Sequence, residues 1–255
     1  MKLQIKGLDF HYQQHTVLQQ VDLQLKQGEL MAVLGPNGVG KTTLLRCINA
    51  MHRPKCGMIT LEDADVLRMS SRDIARHFGY VAQRGESARM TAFDAVLLGR
   101  SPHMGWRPAS KDLQKVEAAL RHIGLGKLSL RYIDEMSGGE LQKVCIARAL
   151  VQEPHILLLD EPTSSLDLKN QFDILQTIRT ITRSHPVSAI MTMHDLNNAL
   201  RFADRFVFVK DGRVYADVRA CDVSPAIVQA VYDVEVDILE HDGMRLIVPR
   251  GSTSL

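Results

Sequence analysis

The chain has 255 residues, of which 45% are hydrophobic and 24% charged, and its net charge is +2. This composition is typical of a folded globular protein, and the near-zero charge argues against a dedicated nucleic-acid-binding protein. An aromatic content of 5% also argues against a base-stacking platform for single strands. We therefore expect one globular domain, with or without an inserted subdomain, and no nucleic-acid partner.

The lengths of the apolar runs and the spacing of the cysteines indicate the cellular compartment. No apolar run approaches the ~18–20 residues that a membrane-spanning helix needs, and the N-terminal residues lack the apolar stretch of a signal peptide. The four cysteines are scattered and form no C-x-x-C pair, which favours reduced thiols over a zinc site or a disulfide framework. The sequence predicts a cytosolic chain, unless a partner holds it at a membrane.

Two kinds of strand pattern occur along the chain. Residues 2–25 alternate apolar and polar side chains, as in antiparallel strands with one solvated face. The run Leu30–Leu34 is apolar throughout, which indicates a strand buried on both faces, and residues 42–50 follow it with a helical pattern. Ile156–Leu159 and Val187–Met191 repeat this arrangement, so we predict a doubly wound α/β core.

The middle and the end of the chain have other patterns. Residues 86–152 are mostly helical in pattern, which predicts a helical subdomain inserted into the core. Further on, Asp211-Gly212 is a hairpin signal between two apolar runs, and a helix near Pro225–Tyr232 and two short strands follow. The predicted organisation is a single domain over residues 1–255. Its α/β core, with an antiparallel part, comprises residues 1–85 and 153–255.

The strongest functional signal is the segment Gly35–Thr42, GPNGVGKT, which fits G-x-x-x-x-G-K-[ST] at every defined position. It joins a predicted buried strand to a predicted helix, which is the context that the motif requires. Glycines let backbone amides approach phosphates, and a helix N-terminus adds partial positive charge. We expect Lys41 to reach the β- and γ-phosphates and the Thr42 hydroxyl to hold Mg²⁺. The dinucleotide fingerprint G-x-G-x-x-G is not matched, which disfavours NAD.

Two carboxylates follow the predicted strand Ile156–Leu159. Asp160 and Glu161 are expected at the carboxyl edge of the sheet, where α/β proteins bind ligands. An acidic turn after a strand is ordinary by itself, but the phosphate loop upstream favours a functional interpretation. Asp160 would complete the Mg²⁺ site, directly or indirectly, and Glu161 would polarise an attacking water as a general base.

Between these motifs lies Met136–Glu140, MSGGE. It resembles the Leu-Ser-Gly-Gly-Gln signature of the ATP-binding cassette subunits of ABC transporters, with Met in place of Leu and Glu in place of Gln. Ser137 and Glu140 also have the spacing of a capping box before an amphipathic helix. The two interpretations are compatible, because a capped helix N-terminus behind two glycines is suited to binding a phosphate.

The resemblance implies roles for further residues. Gln83 corresponds to the Q-loop glutamine, which contacts Mg²⁺ and water and links to the transmembrane partner. The segment Ser164–Asp167 corresponds to the D-loop, and His194 to the switch histidine at the γ-phosphate. Tyr12, with Phe10 close by, corresponds to the aromatic residue that stacks on adenine.

The resemblance covers the chain from about Leu3 to Pro249 and implies a P-loop NTPase cassette. Such a cassette has a RecA-like core, an antiparallel β-subdomain and an inserted helical subdomain. The implied catalytic residues are Glu161, His194 and Gln83, and the implied Mg²⁺ ligands are Thr42, Gln83 and Asp160. The implied ATP-binding residues are Tyr12, Gly35, Pro36, Asn37, Gly38, Gly40, Lys41, Thr42, Thr43, Ser137, Gly138, Gly139 and Asp167.

In this family the signature of one subunit closes over ATP held by the phosphate loop of another. The resemblance therefore implies a head-to-tail homodimer on the cytoplasmic face of the cell membrane. It also implies two permease subunits and, through them, a periplasmic or extracellular substrate-binding protein. ATP binding would close the dimer and hydrolysis would open it.

The segment Gly99–His103, GRSPH, is similar to the Gly-Arg-x-Pro-His stretch of subunits that serve importers of iron–siderophores, haem and cobalamin. Residues 193–197 and 246–249 are similar to that group as well. We therefore expect an importer of this kind, although the segment could also be helical packing common to many importers. A soluble cassette ATPase acting as a scaffold in iron–sulfur cluster assembly is the alternative function.

Overall fold

The structure is a computed structural model that describes residues 2–83 and 89–250. It divides into two compact units, one formed by Met1–Leu67 with Ile190–Leu255 and the other by Arg68–Ala189. The strands are β1 (Leu3–Tyr12), β2 (His15–Leu25), β3 (Leu30–Leu34), β4 (Cys56–Leu61), β5 (Ala64–Asp65), β6 (Phe78–Val81), β7 (Ile156–Leu159), β8 (Ser188–Thr192), β9 (Arg205–Lys210), β10 (Arg213–Arg219), β11 (Val236–His241) and β12 (Met244–Pro249). The α-helices are α1 (Lys41–Ile48), α2 (Ser71–His77), α3 (Ala92–Leu97), α4 (Ser110–His122), α5 (Gly138–Leu150), α6 (Leu168–Ser184), α7 (Leu196–Phe202) and α8 (Pro225–Tyr232).

The first unit contains an antiparallel sheet with the strand order β2-β1-β4-β5. β1 and β2 pair from Leu3↔Leu25 to Tyr12↔His15, with register shifts along the way. Apolar side chains of β1 such as Ile5 are buried and alternate with less buried neighbours, as a sheet with one solvated face requires. The antiparallel strands predicted over residues 2–25 are confirmed.

The strand that leads into the phosphate loop, β3, belongs to a parallel pair in the same unit. All five residues of β3 are buried, and β3 pairs in parallel with β9 from Met31↔Arg205 to Leu34↔Phe208. The predicted buried strand is therefore confirmed. The helix after the loop begins at Lys41 and ends at Ile48, two residues before the predicted end at residue 50.

The C-terminal elements also follow their local signals. β9 and β10 form the predicted hairpin, and its turn residues Asp211 and Gly212 have φ angles of 49° and 73°, as a type I′ turn requires. α8 has the predicted bounds, with Ser224 as its N-cap. Asn197 of α7 accepts from the backbone amide of Ile247 and donates to its carbonyl oxygen, so β12 is fastened to α7.

The second unit contains the parallel pair β6 and β7 and a group of helices. α3, α4 and α5 share a buried apolar cluster that includes Val96, Val116 and Val144. Over residues 89–152 the described backbone is helical or irregular, apart from an isolated bridge between Thr91 and Tyr132. This agrees with the helical pattern, although residues 86–88 of the predicted subdomain lie outside the described residues.

The division into an α/β core and a helical subdomain of residues 86–152 stays a prediction. The second compact unit is larger than that subdomain, because it also includes β6, β7 and α6. The strand predicted at Val187–Met191 is present one residue further on, as β8. Among the described residues, no helix combines the length and the apolar character needed to cross a membrane.

Candidate functional site

The phosphate loop is a closely packed turn between β3 and α1. Gly35, Gly38 and Gly40 have φ angles of 151°, 78° and 107°, in the region that side chains other than glycine rarely adopt. A Cβ on Gly35 would lie 2.3 Å from the carbonyl oxygen of Val209, and one on Gly40 would lie 2.9 Å from Cδ2 of Leu18. Both the backbone conformation and the contact distance therefore require glycine at these two positions.

The first residues of α1 carry the charge and the hydroxyl of the motif. Lys41 is 6% exposed, and its ammonium donates to the carbonyl oxygens of Gly35 at 2.7 Å and Pro36 at 3.0 Å. Thr42 follows in the first turn of the helix, while Asn37 is exposed in the loop. A buried ammonium beside a helix N-terminus forms a local positive site that suits a polyphosphate. The further residue Thr43 is buried.

Two other predicted residues are positioned within the first unit. The backbone amide of Met193 donates to the carbonyl oxygen of Val33 at 3.2 Å, so the chain leaves β8 beside the end of β3. His194 is the next residue, is exposed, and lies on the side of the unit where the phosphate loop begins. Tyr12 is the last residue of β1 and is 44% exposed. Val17 of β2, the strand that pairs with β1, lies against Gly40 of the phosphate loop.

The acidic pair lies in the second unit, after β7. Asp160 is 2% exposed, and the hydroxyl of Tyr80 on β6 donates to its Oδ2 at 3.3 Å. Glu161 has a φ angle of 47°, and Nε2 of Gln83 donates to its Oε2 at 2.5 Å. Gln83 follows β6 and Glu161 follows β7, and the two meet because parallel neighbouring strands end at the same edge.

The signature segment begins α5 with a capping box. The Ser137 hydroxyl accepts from the backbone amide of Glu140 at 3.4 Å, and the Glu140 carboxylate accepts from the backbone amide of Ser137 at 2.9 Å. The same carboxylate accepts from the Ser137 hydroxyl at 2.9 Å. These hydrogen bonds from Ser137 lower the pKa of Glu140, so the carboxylate is charged at neutral pH. The capping box predicted from the sequence is confirmed.

Leu166 of the D-loop and Asn170, in the first turn of α6, lie beside the signature glycines. Asp167 caps α6 by accepting from the backbone amide of Asn170 at 2.8 Å, and it also accepts from the Asn170 side chain at 3.0 Å. A Cβ on Gly139 would lie 2.5 Å from Oδ1 of Asn170, whereas one on Gly138 would lie 3.4 Å from Cδ2 of Leu166. Gly139 therefore allows the first turn of α6 to pack closely on the start of α5.

Substitution of Gly139 by alanine is expected to destabilise the chain by about 1–3 kcal/mol, because the new methyl group displaces the Asn170 side chain, which donates to the α6 N-cap residue Asp167. Thermal unfolding measures this. Gly138→Ala is the matched control, since its Cβ makes an ordinary contact. Adding Asn170→Ala to Gly139→Ala should remove the clash and recover part of the lost stability. Equal stability of the two glycine variants would contradict the packing argument.

Asn170 and Tyr232 are residues near the site that the sequence reasoning missed. Asn170 stands three residues after Asp167, a spacing typical of an N-cap and its N3 residue, so a capping search would have found it. Tyr232 ends α8 beside the backbone of Gly35, and burial raises the pKa of its hydroxyl to about 12. No local signal connects Tyr232 to the loop, because nearly 200 residues separate them.

The predicted Mg²⁺ ligands offer the donor chemistry that this ion requires. A threonine hydroxyl, an aspartate carboxylate and a glutamine amide are hard oxygen donors, which Mg²⁺ prefers. Across the part of the chain that the structure describes, no group of three or more histidine, cysteine or acidic residues could hold a metal ion. A Mg²⁺ ion held by few protein groups and by substrate phosphates needs no such group.

The segment Gly99–His103 is a packing element within the second unit. Arg100 is 2% exposed, and its guanidinium lies 3.0 Å from the carboxylate of Asp112, which is also buried. A Cβ on Gly99 would lie 2.1 Å from the carbonyl oxygen of Arg148, so α5 approaches this turn at glycine contact distance. This geometry gives the segment a structural role in the helices, as the packing interpretation expects.

Comparison with known proteins identifies the family. The ABC transporter family model matches residues 18–164. The chain is 45% identical over 251 residues to an uncharacterized ABC transporter ATP-binding protein of Methanocaldococcus jannaschii, covering 98% of this chain and 99% of the relative. It is 39% identical to the hemin import ATP-binding protein HmuV of Rhodopseudomonas palustris, covering 92% of each. It is 31% identical to the ferric enterobactin transport ATP-binding protein FepC of Escherichia coli, covering 99% of this chain and 96% of the relative.

Solved structures agree in fold. A metal-chelate type ABC transporter in an inward-facing conformation has a chain that matches with a TM-score of 0.86 and 29% identity, covering 99% of both chains. The dimeric post-hydrolysis ATP-binding cassette MJ0796, bound to ADP and phosphate, matches with a TM-score of 0.76 and 26% identity, covering 86% of this chain and 98% of that one. The chain therefore belongs to the ABC transporter family, as an ATP-hydrolysing cassette with the P-loop NTPase fold.

Proposed function

We propose that the chain is the ATP-hydrolysing subunit of an importer for iron–siderophores, haem or cobalamin. The similarity that supports this substrate class extends over nearly the whole chain, to relatives whose names specify hemin import and ferric enterobactin transport. The segment Gly99–His103 supports it only as kinship, because Gly99 and Arg100 pack within the second unit. The observation that carries the hydrolytic role is the 2.5 Å contact between Gln83 and Glu161 beside the buried Asp160.

ATP binding is proposed to centre on the phosphate loop. The Lys41 ammonium now donates to two loop carbonyl oxygens, and phosphate oxygens would take over part of this bonding. The backbone amides around Gly38 and Gly40, with the hydroxyl of Thr43, surround the phosphates in the proposed complex. Tyr12 offers an exposed ring on which adenine can stack.

Hydrolysis is proposed to depend on Glu161 as the general base. Nε2 of Gln83 donates to Oε2 of Glu161, which orients the carboxylate that would take the proton of the attacking water. His194 is proposed to contact the γ-phosphate. Mg²⁺, when bound, would neutralise charge on the β- and γ-phosphate oxygens, and Thr42, Asp160 and Gln83 are the residues proposed to hold it.

We further propose that two copies of the chain form a head-to-tail dimer. Ser137, Gly138, Gly139 and Asp167 of one copy would complete the ATP site of the other, as the family resemblance implies. The dimer would lie on the cytoplasmic face of the membrane against two permease subunits, and the helical subdomain of residues 86–152 would transmit its closure. A substrate-binding protein would take part only through the permease.

Affinity purification tests this proposal against the scaffold alternative. The tagged chain is purified from detergent-solubilised membranes of its host, and the proteins that accompany it are identified by mass spectrometry. The proposal predicts a polytopic permease, whose associated binding protein then binds an iron chelate, haem or cobalamin in a direct assay. Recovery only from the soluble fraction, with cytosolic iron–sulfur assembly partners, would contradict the importer and support the scaffold.

A further inference from the structure

Three aromatic rings form a cluster at the end of the β1–β2 hairpin. The Tyr12 hydroxyl lies 2.7 Å from Nε2 of His52, and the two rings meet edge to face with centroids 5.6 Å apart. Phe10 stacks on His52 at 5.2 Å and meets Tyr12 edge-on at 4.9 Å. Each ring thus contacts the other two, in the arrangements that aromatic pairs prefer.

Exposure differs strongly within this cluster. Phe10 is 7% exposed and anchors the rings to the sheet, whereas Tyr12 is 44% exposed. The rings of His52 and Tyr12 meet edge to face, and the Tyr12 hydroxyl contacts the His52 ring nitrogen. These contacts restrain the phenol ring, and neither of them is a stacking contact. The Tyr12 ring is therefore fixed in orientation while much of its surface stays accessible.

The backbone of His52 is itself fixed to the helix that begins the phosphate site. Its amide donates to the carbonyl oxygen of Arg46 at 3.1 Å, in the last turn of α1, and the amide of Met51 donates to the same oxygen at 2.9 Å. The first residue of that helix is Lys41. His52 therefore connects the helix that carries the phosphate-binding lysine to the aromatic residue at the end of β1.

We propose that His52 is a positioning residue, which holds the Tyr12 ring in the orientation that stacks on the nucleobase of ATP. This inference rests on the proposed function, in which Tyr12 contacts adenine. A tyrosine that is ordered before ATP arrives loses less conformational entropy on binding than a free one. His52 thus acts on nucleotide affinity through Tyr12 and takes no part in phosphoryl transfer.

The test is the effect of His52→Ala on steady-state ATP hydrolysis by the full chain. We expect KM for ATP to rise about 3- to 10-fold with kcat changed less than twofold. The reason is that the conformational entropy lost in ordering one aromatic side chain weakens ATP binding and does not affect the hydrolysis step. His52→Gln, which keeps a hydrogen-bonding group, should give an intermediate KM. His241→Ala is the control, because His241 is an exposed histidine at the end of β11 in the same unit, and it should leave KM unchanged.

Two further measurements separate positioning of the base from general damage to the loop. In a double-mutant cycle, His52→Ala should have no added effect on KM once Tyr12 is replaced by alanine. Inorganic tripolyphosphate, which lacks a base, should inhibit His52→Ala and the unmodified chain with the same inhibition constant. If His52→Ala fails to fold, as judged by thermal unfolding, His52→Gln carries the same comparisons.

The outcomes distinguish this inference from the proposed function. If Tyr12→Ala raises KM but neither His52 variant does, the positioning role is wrong and the role of Tyr12 stands. If Tyr12→Ala leaves KM unchanged, the stacking role of Tyr12 is wrong, and the inference fails with it. Equal weakening of ATP and tripolyphosphate in His52→Ala would show that His52 supports the phosphate loop, which also overturns the inference.

Discussion

Replacement of Glu161 by glutamine is expected to lower the rate of ATP hydrolysis about 10²- to 10⁴-fold while ATP still binds. The amide has nearly the same shape as the carboxylate, and its oxygen can still accept the hydrogen bond from Gln83. The amide cannot take a proton from the attacking water, so the variant should bind ATP but hydrolyse it slowly. Phosphate release measures turnover, and equilibrium nucleotide binding measures affinity.

Glu62→Gln is the control for this experiment. Glu62 has a φ angle of 56°, similar to that of Glu161, but it is an exposed turn residue of the first unit. The control should hydrolyse ATP at the rate of the unmodified chain. With ATP, Glu161→Gln should also accumulate as a dimer in light scattering. Unchanged turnover of Glu161→Gln would remove Glu161 from the role of general base.

Replacement of Lys41 by alanine is expected to weaken ATP binding about 10- to 100-fold and to abolish turnover at ordinary ATP concentrations. The estimate follows from the loss of a charged hydrogen-bond donor, which is worth about 1.5–3 kcal/mol. The ammonium is buried and bonded to the loop itself, so no other side chain substitutes for it easily. Isothermal titration calorimetry with ATP measures the affinity.

Lys6→Ala provides a matched loss of positive charge, because Lys6 is an exposed lysine of β1 in the same unit. It should leave ATP affinity unchanged. Thermal unfolding of Lys41→Ala shows whether the phosphate loop still folds. Full ATPase activity of a folded Lys41→Ala chain would overturn the assignment of the phosphate site.

Much of the fold could be predicted because its signals are local. β3 and β7 are continuous apolar runs because both of their faces are buried, and the β9–β10 turn follows from two residues that tolerate positive φ. The glycines of the phosphate loop and the capping box of α5 are likewise set by backbone conformation within a few residues. The ends of α1 and β8 differ by one or two residues from the predicted ends, because terminal turns depend on their surroundings.

For the candidate site as well, some features could be predicted from the sequence and others could not. Sequence order and resemblance identified Lys41, Glu161 and Gln83, and the parallel pairing of β6 with β7 explains why Gln83 reaches Glu161. Their catalytic roles remain proposals. The segment Gly99–His103 was informative about kinship, but its sequence could not show that Arg100 is an interior residue.

The sequence by itself indicated the family and the class of fold and predicted the segments proposed to bind phosphate, because each of these depends on residue types at short, fixed spacing. Only the tertiary structure decided that His52 contacts Tyr12 and that Asn170 fills the space beside Gly139. These contacts join residues about 30 to 40 positions apart in the chain. The two residues of each pair are not linked by a helical or strand periodicity in the sequence. Their geometry is fixed by how strands and helices pack, which no local propensity encodes.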